Sequence, residues 1–132
     1  MDINRRGFLF LAAGGLLLLN GCGRKAAHSA LPRGSRVLAL GDSLTAGFGA
    51  SAGGDYPRRL SDITGWQVIN GGVSGDTSAQ ALARLPGLLQ PKPDLALVCI
   101  GGNDFLRRIG EDETRANIGR CRSYTSPSPR DS

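Results

Sequence analysis

The chain has 132 residues, which allows one domain at most. Its formal charge of +5 comes from 16 basic and 11 acidic residues, scattered or in pairs and never in a basic stripe interleaved with aromatics, which argues against nucleic acid as a partner. Three cysteines cannot make a paired disulfide framework, and no Cys-x-x-Cys or Cys/His cluster speaks for zinc.

The first 22 residues read as an export signal. Arg5 and Arg6 precede an apolar stretch, residues 8–19, broken only by Gly14 and Gly15. That length is short for a membrane span and suits the apolar centre of a signal peptide. Leu19-Asn20-Gly21-Cys22 resembles a bacterial lipobox, so Cys22 is the expected lipidation site and residues 1–22 the lipoprotein signal peptide. The alternative is an ordinary cleaved signal in which Cys22 is incidental. Arg5-Arg6-Gly7-Phe8-Leu9 also resembles the twin-arginine export motif, which leaves both export routes open. An acylated Cys22 would tether the protein to a membrane without spanning it. Gly23 stands where an Asp would signal inner-membrane retention, so the expected place is the outer membrane and periplasm. Residues 23–35, rich in Ala, Ser, Gly, Arg and Lys, read as the tether.

The body begins at residue 36. Three short apolar runs, at 36–40, 66–69 and 95–100, are each followed by a Gly-rich turn. Uninterrupted runs of this length are expected of parallel strands covered on both faces, and Cys99 in the third reads as a small buried hydrophobe. Helical periodicity lies between them. Residues 56–63 place Leu60 and Ile63 on one face, and residues 77–89 align Ala81, Leu82, Leu85, Leu88 and Leu89, with Pro86 as an expected interruption. This β-α-β-α-β rhythm implies an α/β sandwich with right-handed crossovers. Active sites of such sheets gather at the carboxyl ends of the strands. All three Gly-rich turns fall there.

Taken singly, each turn has a plain structural role. Ser43, in Gly41-Asp42-Ser43-Leu44-Thr45, could be a helix N-cap. The turn is neither a Gly-x-Ser-x-Gly nucleophile elbow nor a phosphate loop. Gly72-Val73-Ser74-Gly75-Asp76-Thr77 could be a tight turn with Asp76 or Thr77 capping the next helix. Asn103, in Gly101-Gly102-Asn103-Asp104, could simply tolerate a left-handed backbone.

Together they resemble successive blocks of the SGNH/GDSL hydrolase family: GDSL at 41–44, the glycine block ending at Gly75, and GGND at 101–104. The wording GDSLTAGFG, INGGVSGDTS and LARLP is most similar to the bacterial lysophospholipase/thioesterase/arylesterase branch, and the resemblance runs from about residue 36 to about 117. It implies a flavodoxin-like three-layer α/β sandwich with a parallel sheet. It also implies a serine esterase in which Ser43 attacks an ester or thioester carbonyl. The backbone N–H groups of Ser43 and Gly75 and the side-chain amide of Asn103 would hold the oxyanion. Asp42 and Asp104 would hold loops. No metal or organic cofactor is implied.

A serine nucleophile needs a base, and the base an orienting acid. The family supplies both from an Asp-x-x-His block that this sequence does not contain. Its only histidine is His28, in the tether. Residues 110–118 read as a helix start with acids in its first turn, whereas residues 119–132 show no helical face and no strand alternation. The expectation is therefore a partial hydrolase domain over residues 36–118, an aberrant, disordered tail over 119–132, and departure from the family pattern near Ile118 by frameshift or premature stop. Three functions follow: an impaired esterase of lysophospholipase/thioesterase type, an inactive fragment or non-enzymatic surface lipoprotein, and a carbohydrate O-acetylesterase.

Overall fold

The structure, a computed structural model, describes residues 30–125. The signal segment, Cys22, His28 and most of the tether lie outside the described residues. Among those described, no helix is long and apolar enough to cross a membrane.

Strand β1 (Arg36–Gly41) is the centre of a parallel sheet ordered β2-β1-β3, with β2 (Gln67–Gly72) on one side and β3 (Leu95–Cys99) on the other. Val37, Leu38, Ala39 and Leu40 are all 0% exposed. Side chains alternate across a strand, so both faces of β1 are covered, as its unbroken apolar run requires. Leu38 and Leu40 join Ala81, Leu85 and Cys121 in one buried cluster, which brings α3 (Ser78–Leu88) and α5 (Glu111–Thr125) onto one side. The short α1 (Ser43–Ala46) packs on β1 and β2, and α2 (Tyr56–Thr64) on β2. Each fully buried leucine stabilises the fold by about 1.5–3 kcal/mol. The expected α/β sandwich with a parallel sheet is what the chain forms.

Local signals explain the element ends. Asp55 caps α2 by accepting from the Arg58 N–H at 3.0 Å, and Pro57 sits in the first turn, where no intrahelical donor is lost. Thr77 and Gln80 form a capping box that opens α3. α3 then runs through Pro86 instead of stopping there. The proline removes a single hydrogen bond, two residues before the helix ends, and the Leu89 N–H still reaches the Leu85 carbonyl at 3.0 Å.

Three expectations are corrected. β2 extends past Ile69 to Gly72, because Asn70, Gly71 and Gly72 continue in register with Ala39, Leu40 and Gly41. Helix α5 does not stop at Ile118. It continues to Thr125, with Asn117 and the 0% exposed Cys121 facing the core. That face is built of Thr114, Asn117 and Cys121, polar or small residues that an apolar pattern does not register, so the tail expected from residue 119 begins as helix; residues 126–132 lie outside the described residues. Cys99 is exposed and not buried. β3 has β1 as its hydrogen-bonded neighbour on one side, and cover declines along it, leaving Val98 37% exposed.

Candidate functional site

The three turns at the carboxyl ends of the strands pack against one another. In the first, Asp42 is the N-cap of α1, its Oδ1 accepting from the Leu44 N–H at 3.0 Å. Ser43 is therefore the first helical residue and not the cap. It is half-buried, its carbonyl accepts from the N–H groups of Gly47 and Phe48, and its hydroxyl has no hydrogen-bond partner among the described residues. Thr45, two residues on, is buried and shares a 3.2 Å hydrogen bond with the Tyr56 hydroxyl.

The second turn follows β2. The Val73 N–H donates to the Gly41 carbonyl at 3.1 Å, tying it to the end of β1. Gly75 has φ +85°, a conformation that favours glycine. Gly72 lies against the first turn so closely that a Cβ there would sit 2.6 Å from the Thr45 carbonyl carbon.

The third turn closes on both. Gly101, at φ +116°, turns the chain into α4 (Gly102–Leu106). A Cβ on Gly102 would lie 3.5 Å from Asp42 Oδ2. Asn103 Nδ2 donates to the Asp76 carbonyl at 2.9 Å, and Arg107 Nη2 donates to the Gly75 carbonyl at 2.8 Å. Ser43, Gly75 and Asn103 thus stand on three turns linked by direct contact.

Below them runs a buried polar seam. Asp104, 1% exposed, accepts from the Ser78 N–H at 2.7 Å, the Ser78 hydroxyl at 2.5 Å and the Thr114 hydroxyl at 3.2 Å. Asn117 Nδ2 donates in turn to the Ser78 oxygen at 3.1 Å. Burial pushes the Asp104 carboxyl up, but the hydrogen bonds from Ser78, Thr114 and its own backbone outweigh that and hold it below the usual carboxylate range. It is an anion that fastens α4 to the start of α3 and to α5. This geometry suits Asp104 to holding loops.

Arg84 is the residue that reading the sequence missed, and Asp76, a candidate cap of α3, pairs with it while Thr77 does the capping. Arg84 Nε and Nη2 both bond Asp76 Oδ2, at 2.8 and 2.6 Å. The signal was available: Arg84 is a lone charge between the core positions Ala81 and Leu85. Among the described residues no group of His, Cys, Asp and Glu could hold a metal ion.

Residues 39–126 match the GDSL-like Lipase/Acylhydrolase family. The chain belongs to this family. It is 47% identical over 87 residues to the thioesterase 1/protease 1/lysophospholipase L1 of Escherichia coli K12, covering 62% of this chain and 41% of that protein. It is 36% identical over 108 residues to esterase TesA of Pseudomonas aeruginosa, covering 77% of this chain and 54% of the relative. Among solved structures, AlinE4, an SGNH-hydrolase family esterase, superposes with a TM-score of 0.62 at 42% identity, over 70% of this chain and 53% of AlinE4. The TesA crystal structure gives 0.63 at 34% identity, over 69% of this chain and 54% of TesA. The chain spans about half the length of the curated relatives it matches. The three turns described above all lie within the matched residues.

Proposed function

We propose that the chain carries the nucleophile and oxyanion-binding part of a serine ester hydrolase of esterase, lysophospholipase or thioesterase type. Ser43 is the nucleophile and attacks the carbonyl carbon of an ester or thioester. The oxyanion that forms is held by the backbone N–H groups of Ser43 and Gly75 and by the Asn103 side-chain amide. The observation that carries the reading is the pair of roles at 42 and 43: Asp42 takes the capping task, which leaves the Ser43 hydroxyl free for chemistry. The relatives named thioesterase, lysophospholipase and esterase support the substrate class.

Asn103 fits its part physically. A carboxamide nitrogen carries two hydrogens. One is committed to the Asp76 carbonyl, which fixes the plane of the group and the direction of the second. A fixed donor of this kind contributes about 10²–10³ to rate in acyl transfer. The general base is a separate matter: the sequence's one histidine is His28, in the tether. Turnover by this chain is therefore low, about 10³–10⁴ over water from donors and binding, as for hydrolases stripped of a triad member. Hydrolysis of p-nitrophenyl acetate and butyrate, beside Ser43→Ala, tests the reading. Weak turnover that vanishes in the variant is expected; equal rates in both would overturn it.

We also propose that the protein is exported and held to the outer membrane through a lipid on Cys22. The lipobox-like Leu19-Asn20-Gly21-Cys22 supports this. Metabolic labelling with a tritiated fatty acid in a bacterial host should mark the wild type and not Cys22→Ser. Absence of label in both would remove the anchor.

A further inference from the structure

We propose that Arg84 is a positioning residue for the Asn103 amide, acting through Asp76. The proposal rests on the reading of Asn103 as an oxyanion donor. Arg84 stands on α3 at the flank of the face that supplies Ala81 and Leu85 to the core, with its side chain 30% exposed and that of Asp76 10% exposed. Helical side chains lean toward their own N-terminus, and this one reaches back past the first turn of α3 to Asp76. Two of its nitrogens converge on Asp76 Oδ2, at 2.8 and 2.6 Å. The same Nη2 lies 3.1 Å from the Gly71 carbonyl and 3.5 Å from the Gly41 carbonyl. One planar group therefore spans the end of β1, the end of β2 and the turn that leads into α3.

Asp76 is held from three directions. Its N–H donates to the Val73 carbonyl at 3.2 Å, Arg84 grips its carboxylate, and Asn103 Nδ2 donates to its carbonyl at 2.9 Å. Its backbone carbonyl is the fixed post on which the Asn103 amide turns. Release of the carboxylate frees the post, and the amide loses its aim. A partly exposed ion pair kept only for stability would act otherwise: its removal would lower the melting temperature and leave Asn103 unchanged. Lysine cannot replace the fork, because a point charge cannot satisfy a carboxylate and two carbonyls in one plane.

The test compares Arg84→Gln, Arg84→Lys and Asp76→Asn with the wild type in the ¹⁵N-labelled full chain. The Asn103 side-chain amide pair is assigned by its disappearance in Asn103→Ala. In Arg84→Gln and Asp76→Asn the pair should shift and lose hydrogen-exchange protection, while the amides of β1 keep theirs. Arg84→Lys should fall between. Ser43-dependent hydrolysis should lose about tenfold to a hundredfold in kcat, the scale of a misplaced reacting group, with KM little changed. An Asn103 amide identical to wild type in Arg84→Gln and Asp76→Asn overturns the proposal. Should Arg84→Gln fail to fold, Asp76→Asn, nearly isosteric, decides on the same resonance. Absence of Ser43-dependent turnover in the wild type would remove the hydrolase reading alone, since the amide resonance still reports whether Arg84 orients Asn103.

Discussion

Asn103 and Asp76, 27 positions apart in the chain, are joined by a 2.9 Å hydrogen bond from the carboxamide nitrogen of one to the backbone carbonyl of the other. It connects the turn after β3 to the turn after β2. Asn103→Ala should therefore have two effects. Ser43-dependent ester hydrolysis should fall by about 10²–10³ in kcat, the usual loss for one oxyanion donor. Stability should fall by only about 1 kcal/mol, since a partly exposed neutral hydrogen bond is lost. Steady-state kinetics and urea unfolding on the same preparation measure both.

Asp104 predicts an acid-sensitive fold. Its folded pKa lies below the unfolded value, so its contribution to stability is fully present above the unfolded pKa. That contribution fades as pH falls through the folded one. Asp104→Asn should cost about 1.5–3 kcal/mol at pH 7, the range for hydrogen bonds to a charged group. Urea unfolding at pH 7 and at pH 3 should show the gap between wild type and variant narrowing at the lower pH. A gap of constant size would contradict the assignment.

Gly72 is required by close approach. A methyl group there would sit 2.6 Å from the Thr45 carbonyl carbon, which is backbone and cannot swing aside. Gly72→Ala should destabilise the protein by about 1–3 kcal/mol, the cost of overpacking, visible as a lower melting temperature by circular dichroism. Gly119→Ala, where nothing lies within 4 Å, should raise it slightly through helix propensity.

The cysteines should react at different rates. Cys99 is exposed, whereas Cys121 is 0% exposed and burial pushes its thiol above the usual value, against a smaller opposing effect from its own backbone hydrogen bond. The thiolate is the reactive form. Brief iodoacetamide treatment at pH 7.5 followed by peptide mass spectrometry should find Cys99 alkylated and Cys121 intact until denaturant is added.

Much of this was legible because strands, turns and caps leave local signals. The unbroken apolar run at Val37 to Leu40 fixed the central strand, and the three Gly-rich turns fixed where a site could form. Arg84 was not legible, since its meaning depends on Asp76, Gly71 and Gly41, which only the fold brings within reach. The second half of α5 was missed for a different reason. Its buried face uses Asn117 and Cys121, and Asn117 is tolerated there only because Ser78 accepts its hydrogen bond. Burial of Cys99 was misjudged because an apolar run says that a strand has a core-facing stretch, and not how far cover continues along it.

Among the described residues β3 is hydrogen-bonded on one side only, and that gives the molecule a means of reporting on what docks there. An extended segment, from this polypeptide or another, that paired with the backbone on the other side of β3 would add a strand to the sheet. Cys99 stands at the end of that strand, so a partner seated there would shelter its sulfur. The alkylation rate of one thiol then becomes a gauge of docking, readable in a crude extract without any substrate. A slowing of that rate would reveal such docking before any activity assay could.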